Sequence, residues 1–140
     1  MDEKVREAIT NAIKGETFAQ ELKMKLVELE DGHSVVEMIY NPEKMNNMHD
    51  LAHGGVLFGL MDEAFEMACH TKGTIAVALN INVTFVSSPK PGSRLRAEAN
   101  QVSETRKTAS FDIKVTDQDS NLIATAQALA YQTGKPIPFL

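Results

Sequence analysis

Residues 51–70 read LAHGGVLFGLMDEAFEMACH. A polar lead-in gives way to a Gly-Gly pair and then to an apolar segment of helical length, with one carboxylate, Asp62, in its middle. Asp50 or the Gly54–Gly55 pair marks the start of this helix. The first N–H groups of a helix have no partner within it, and the aligned peptide dipoles add partial positive charge there. Glycine lets another group come close to that backbone. A helix that opens His53-Gly54-Gly55 therefore offers donors to an oxyanion or a polarised carbonyl. On a wheel of about 100° per residue, Val56, Leu57, Leu60, Met61, Ala64, Met67 and Ala68 share one broad face, which reads as core. Gly55, Gly59, Asp62, Glu66 and His70 lie opposite, and Phe58, Phe65 and Cys69 flank Asp62 on one edge. A solvated helix face would carry Lys and Glu in place of glycine and aromatic residues. That face is expected to be covered by a ligand or another subunit, with Gly55 and Gly59 leaving the room.

The same residues carry a family resemblance. His53-Gly54-Gly55, then Leu60-Met61-Asp62 and Ala64, with Asn47 six positions before His53, resemble the signature of the PaaI-like acyl-CoA thioesterases of the hot-dog fold. Asn82-Val83-Thr84-Phe85 followed by Pro89-Lys90-Pro91-Gly92 is similar to that family's next strand and turn. The resemblance runs over about residues 20–133.

Composition restricts the alternatives. A chain of 140 residues with 43% hydrophobic and 24% charged side chains reads as one globular domain, 1–140. Net charge is −5 and the pI is about 5.3, which argues against nucleic acid or an anionic membrane as partner. Cys69 is the only cysteine, so no disulfide forms within the chain, and it is expected to be a structural thiol. The opening MDEKVREAIT lacks an apolar leader and no apolar run is long enough to span a bilayer, so the expected location is the cytoplasm. His33, His49, His53 and His70 are scattered without ligand spacing, and no metal or separate cofactor is expected.

Taken in order, residues 2–14 repeat apolar residues at helical spacing and Gly15 stops them, giving an N-terminal helix over 1–15 that caps the fold. Residues 20–30 and 33–40 read as a hairpin turning at Glu30-Asp31-Gly32. Asn41-Pro42 ends it, and 41–52 reads as a long loop. After the helix come strands over 74–87, 93–103, 106–117 and 121–133, then an extended tail over 134–138. Strand, strand, helix and four strands define an α+β fold, a long antiparallel sheet around one central helix. The hot-dog fold implied by the resemblance is the same arrangement.

Gly54 and Asp62 stand eight residues apart, about 12 Å along one helix. If both act on one carbonyl, they come from two chains, and a twofold dimer provides two such sites. The resemblance implies that arrangement, as a homodimer or homotetramer, and the hydrolysis of acyl-CoA to free acid and CoA. In that reading Gly54 N–H holds the oxyanion. Asp62 is a general base or a nucleophile, Asn47 orients thioester or water, and His53 holds the helix start. Phe58 and Phe65 line the acyl pocket. Some members of the family place Ser or Thr early in the next strand to position water. Ala78 stands there in this chain, with Thr74 or Asn80 as substitutes. Lys90, Arg94, Arg106 and Lys107, near turns, are expected to grip the CoA phosphates. Two rival readings are a non-catalytic acyl-CoA-binding module of the same fold and an enoyl-CoA hydratase or dehydratase. The sequence does not identify the acyl chain.

Overall fold

The charged opening segment forms helix α1 (Glu3–Gly15), started by Asp2, whose side chain accepts from Lys4 N–H. Its apolar stripe of Val5, Ile9 and Ile13 is buried in the main core. The computed structural model describes residues 1–140. A second helix, α2 (Thr17–Glu21), precedes the hairpin and takes residues 20 and 21, which were expected to begin the first strand. The chain leaves α2 through Lys23 at φ 55°, and strand β1 starts only at Lys25 (Lys25–Glu30). The alternation of Leu22, Met24 and Leu26 thus spans a helix exit as well as a strand. β1 turns at Asp31-Gly32, where Gly32 has φ +64°, into β2 (His33–Ile39).

The segment expected to be one loop contains a short helix, α3 (Pro42–Met45), with Asn41 capping it by accepting from Glu43 N–H. Then come α4 (Gly54–Cys69), β3 (Thr74–Phe85), β4 (Arg94–Glu104), β5 (Thr108–Thr116) and β6 (Leu122–Pro136). The expected marginal tail is instead anchored. β6 runs through it to Pro136, Ile137 is 3% exposed, and Ile137 N–H donates to Gly73 C=O at 3.0 Å.

All six strands form one antiparallel sheet in the order β1-β2-β4-β5-β6-β3. α4 touches every strand, most extensively β2 and β4, so the sheet curls about it. The strand sequences explain how. Ala97 and Ala99 on β4, and Ala124, Ala126, Ala128 and Ala130 on β6, are all buried at period-two spacing. Small side chains on the inner face let a 16-residue helix lie close to the backbone. The bulky residues come from the helix. Leu57, Leu60, Met61, Phe65 and Met67 are buried, each contributing about 2 kcal/mol of apolar burial. Phe65 meets Phe111 edge to face at 5.3 Å. Polar ties fix the helix on the hairpin: the buried Ser34 hydroxyl donates to Ala64 C=O. Thr71 Oγ1 accepts from Gly32 N–H and donates to Ala68 C=O, both at 2.9 Å. No helix is long and apolar enough to cross a membrane.

Candidate active site

The residue that starts α4 is His53. It takes extended dihedrals (φ −65°, ψ 131°), and its Nδ1 accepts from Gly55 N–H at 2.8 Å. Asp50, the other expected start, lies in the preceding turn at φ 58°. Both glycines are explained by close approach. A Cβ on Gly55 would lie 3.0 Å from His53 Nδ1, and one on Gly54 would lie 3.0 Å from the Phe85 ring of β3. With Gly55 N–H taken by His53, the Gly54 N–H has no acceptor within the chain. It is a free donor at the positive end of a helix.

Asn47 sits beside this helix start because its loop is closed at both ends. Asn46 bridges Ala52, and His53 N–H donates to Met45 C=O at 2.8 Å. Asn47 Oδ1 accepts from His49 and Leu51 N–H, at 2.9 and 3.1 Å, and its amide NH₂ has no partner within the chain. Gly54, His53 and Asn47 therefore lie toward the same end of α4. Asp62 is at a different place, two turns down α4, half-buried. Partial burial first, and the Glu16 carboxylate second, raise its pKa above the usual aspartate range.

The helix face around Asp62 differs from the wheel. The buried arc is wider and leaves exposed only Gly55, Phe58 and Glu66, with Gly54, Val56, Asp62 and Cys69 half-buried. Phe65, expected in an acyl pocket, is 1% exposed and belongs to the core against Phe111. Phe58 stays on the open stripe at 37% exposure. Gly59 was expected to make room for a ligand. The space is filled from within the chain, since Phe18 of α2 would stand 2.7 Å from a Cβ there. Phe18, Phe85, Glu16 and Glu63 are the residues near this site that sequence patterning missed. Their proximity arises from packing across distant elements. The one local hint was that Glu63 and Glu66 stand three apart on a helix.

The remaining predicted residues are dispersed. Asn80 and Ala78 are exposed on β3, either side of a bulge against β6. Lys90 and Arg94 lie at one end of β4, Arg94 3.9 Å from Glu37. Arg106 and Lys107 lie beyond the other end, about 33 Å away for ten strand residues, with Lys107 Nζ 3.3 Å from Tyr131 OH. Within one chain these four cations do not converge, so the expected cluster separates into two pairs. Cys69 donates to Glu66 C=O at 3.4 Å. Burial, then Glu66, pushes its thiol pKa up to about 12, as suits a structural cysteine.

A donor-bearing helix start, a free carboxylate on the same helix and a sheet curled about it define the class. Residues 49–124 match the sequence model of the thioesterase superfamily, and the chain belongs to that superfamily. It is 30% identical to a relative from Archaeoglobus fulgidus over 125 residues, 89% of this chain and 80% of the other. It is 29% identical over 119 residues to the acyl-coenzyme A thioesterase PaaI of Escherichia coli, 85% of this chain and 84% of that one. The solved PaaI structure superposes with a TM-score of 0.91 at 27% identity, covering 96% of this chain and 97% of that chain. A Streptococcus mutans protein solved bound to acetyl CoA matches with a TM-score of 0.76 at 29% identity, covering 81% and 91% of the two chains. The fold is the hot-dog fold.

Proposed function

We propose that this thioesterase hydrolyses acyl-CoA to the free acid and CoA in sites shared between two copies of the chain. The observation that carries the reading is the free Gly54 N–H and the unpaired Asp62 on one continuous helix, held about 12 Å apart. One copy's Gly54 N–H and Asn47 amide would hold the thioester carbonyl. The other copy's Asp62 would draw a proton from water as it attacks the carbonyl carbon. The C–S bond then breaks, and the thiolate leaves without needing a strong acid. His53 acts on this chemistry by fixing the helix start. The similar proteins named above, one an acyl-coenzyme A thioesterase and one solved with acetyl CoA, support the substrate class.

The unpaired sheet edge supports the dimer. β3 is a terminal strand of 12 residues without a single charge, and Val77 and Leu79 are 51% and 58% exposed on it. Long apolar edges of this kind are normally paired or protected by charge. The test mixes Asp62→Asn chains with Gly54→Pro chains, each inactive alone, and follows thiol release from short, long and aromatic acyl-CoAs. Shared sites predict recovery of activity in the mixture, because a hybrid dimer holds one intact pair. Confirmed hybrids without activity would refute shared sites.

A further inference from the structure

On one border of the open helix stripe, four acids gather without a counter-charge. Glu16, at the join of α1 and α2, faces Glu63 and Glu66 of α4, and one carboxylate oxygen from each lies within 4.8 Å of the others. Asp62 adjoins them and feels Glu16. No ion pair of the chain includes any of the four. Glu63 is 3% exposed, and its Oε1 is buried without a hydrogen-bond partner. A cleft of ≈ 390 Å³ opens on the group, lined by Ile9, Gly15, Glu16, Glu66, His70 and Phe139 among others, with no Lys or Arg. The His70 ring does not balance the charge. Its Nε2 accepts from Ala76 N–H at 3.3 Å and its Nδ1 lies 2.7 Å from Glu66 C=O, the pattern of a neutral imidazole donating through Nδ1. A buried carboxylate without a counter-ion is costly by several kcal/mol, so Glu63 is neutralised either by a proton, burial and Glu16 pushing its pKa up to about 8, or by a cation.

We propose that Glu16, Glu63 and Glu66 bind one hard divalent cation of the Mg²⁺, Ca²⁺ or Mn²⁺ class, which ties the α1–α2 join to α4 beside Asp62. The donors are all carboxylate oxygens, which select hard cations over zinc or copper. Both nitrogens of His70 and the Cys69 thiol are engaged elsewhere. Oxygens bonded to one ion at about 2.1–2.5 Å lie at most about 4–5 Å apart, the separation found here. Glu63 and Glu66 reach the ion from one helix face, Glu16 closes it from the other side, and the cleft admits water to the remaining positions.

The test titrates the full chain, stripped of metal with EDTA, with MnCl₂, following free Mn²⁺ by EPR and the thermal midpoint with Mn²⁺, Mg²⁺ or Ca²⁺. The expected result is one saturable Mn²⁺ per chain and a midpoint that rises with cation concentration. Glu63→Gln with Glu66→Gln should abolish binding while the metal-free midpoint stays at or above wild type, since two mutually repelling carboxylates, one of them buried and the other exposed, are removed. Glu16→Gln alone should weaken binding at least tenfold. No bound Mn²⁺ and no midpoint shift at millimolar cation would overturn the proposal, as would undiminished binding in the double glutamine variant.

Discussion

Asp62 occupies the middle of an apolar helix, where a short acid competes for backbone hydrogen bonds and gains nothing from packing. Nothing within the chain pairs with it, and burial raises its pKa, as a base for water requires. Asp62→Asn keeps the shape and removes the charge. It is expected to lower kcat by roughly 10²–10⁴-fold, the usual worth of a general base, with KM and thermal midpoint little changed. Near-normal turnover on a good acyl-CoA would instead favour a binding module. The chemistry of Cys69 is of the opposite kind. A thiol pKa pushed up to about 12 leaves almost no thiolate at pH 8, and thiolate is the reactive form. Iodoacetamide at pH 8 should leave the native chain unlabelled and modify the guanidinium-unfolded chain readily. Fast native labelling would contradict a half-buried, inert thiol.

At the scale of the element, α4 depends on an unusual cap. His53 Nδ1 accepts the Gly55 N–H and so leaves Gly54 as the free donor. His53→Ala should cost about 1 kcal/mol of stability, the usual value for a lost N-cap, and lower kcat as the first turn frays. His53→Asn, a good capping residue, should restore both. Urea melts and steady-state rates on the three proteins check this, and equal stability would show the cap to be idle. The two borders of α4 also show what a wheel misses. The wheel treats the environment as one flat side, but a curled sheet with β5 on one border and α2 on the other covers more than half the helix. Phe65 is thereby taken by Phe111, and Gly59 is covered by Phe18.

For the whole molecule, the uncharged edge of β3 is the feature that one chain leaves unresolved. Val77→Lys with Leu79→Lys places like charges on the proposed seam, at positions exposed in the single chain. The expected result is a folded monomer by light scattering, with unchanged circular dichroism and no hydrolysis, because each site would lose the half supplied by its partner. A variant that remains dimeric would move the interface elsewhere, and an active monomer would refute shared sites.

Much of this protein follows from local pattern. The 3.6-residue period of 54–69, the alternating alanines of β4 and β6, the Asp31-Gly32 turn and the His53-Gly54-Gly55 start are each decided by backbone geometry within a few residues. They give the α+β order and the donor-bearing helix end with Asp62 two turns below it. Tertiary structure decided the rest, because it depends on which distant surfaces meet. Residues 17–21 form a helix and Phe18 closes over Gly59. The tail continues β6 because Ile137 finds a buried place beside Gly73. Lys90 and Arg106 separate because the 11-residue strand β4 lies between them. Glu16 meets Glu63 across 47 residues of chain, a convergence of carboxylates that no periodicity encodes and that only the packing of α2 on α4 produces.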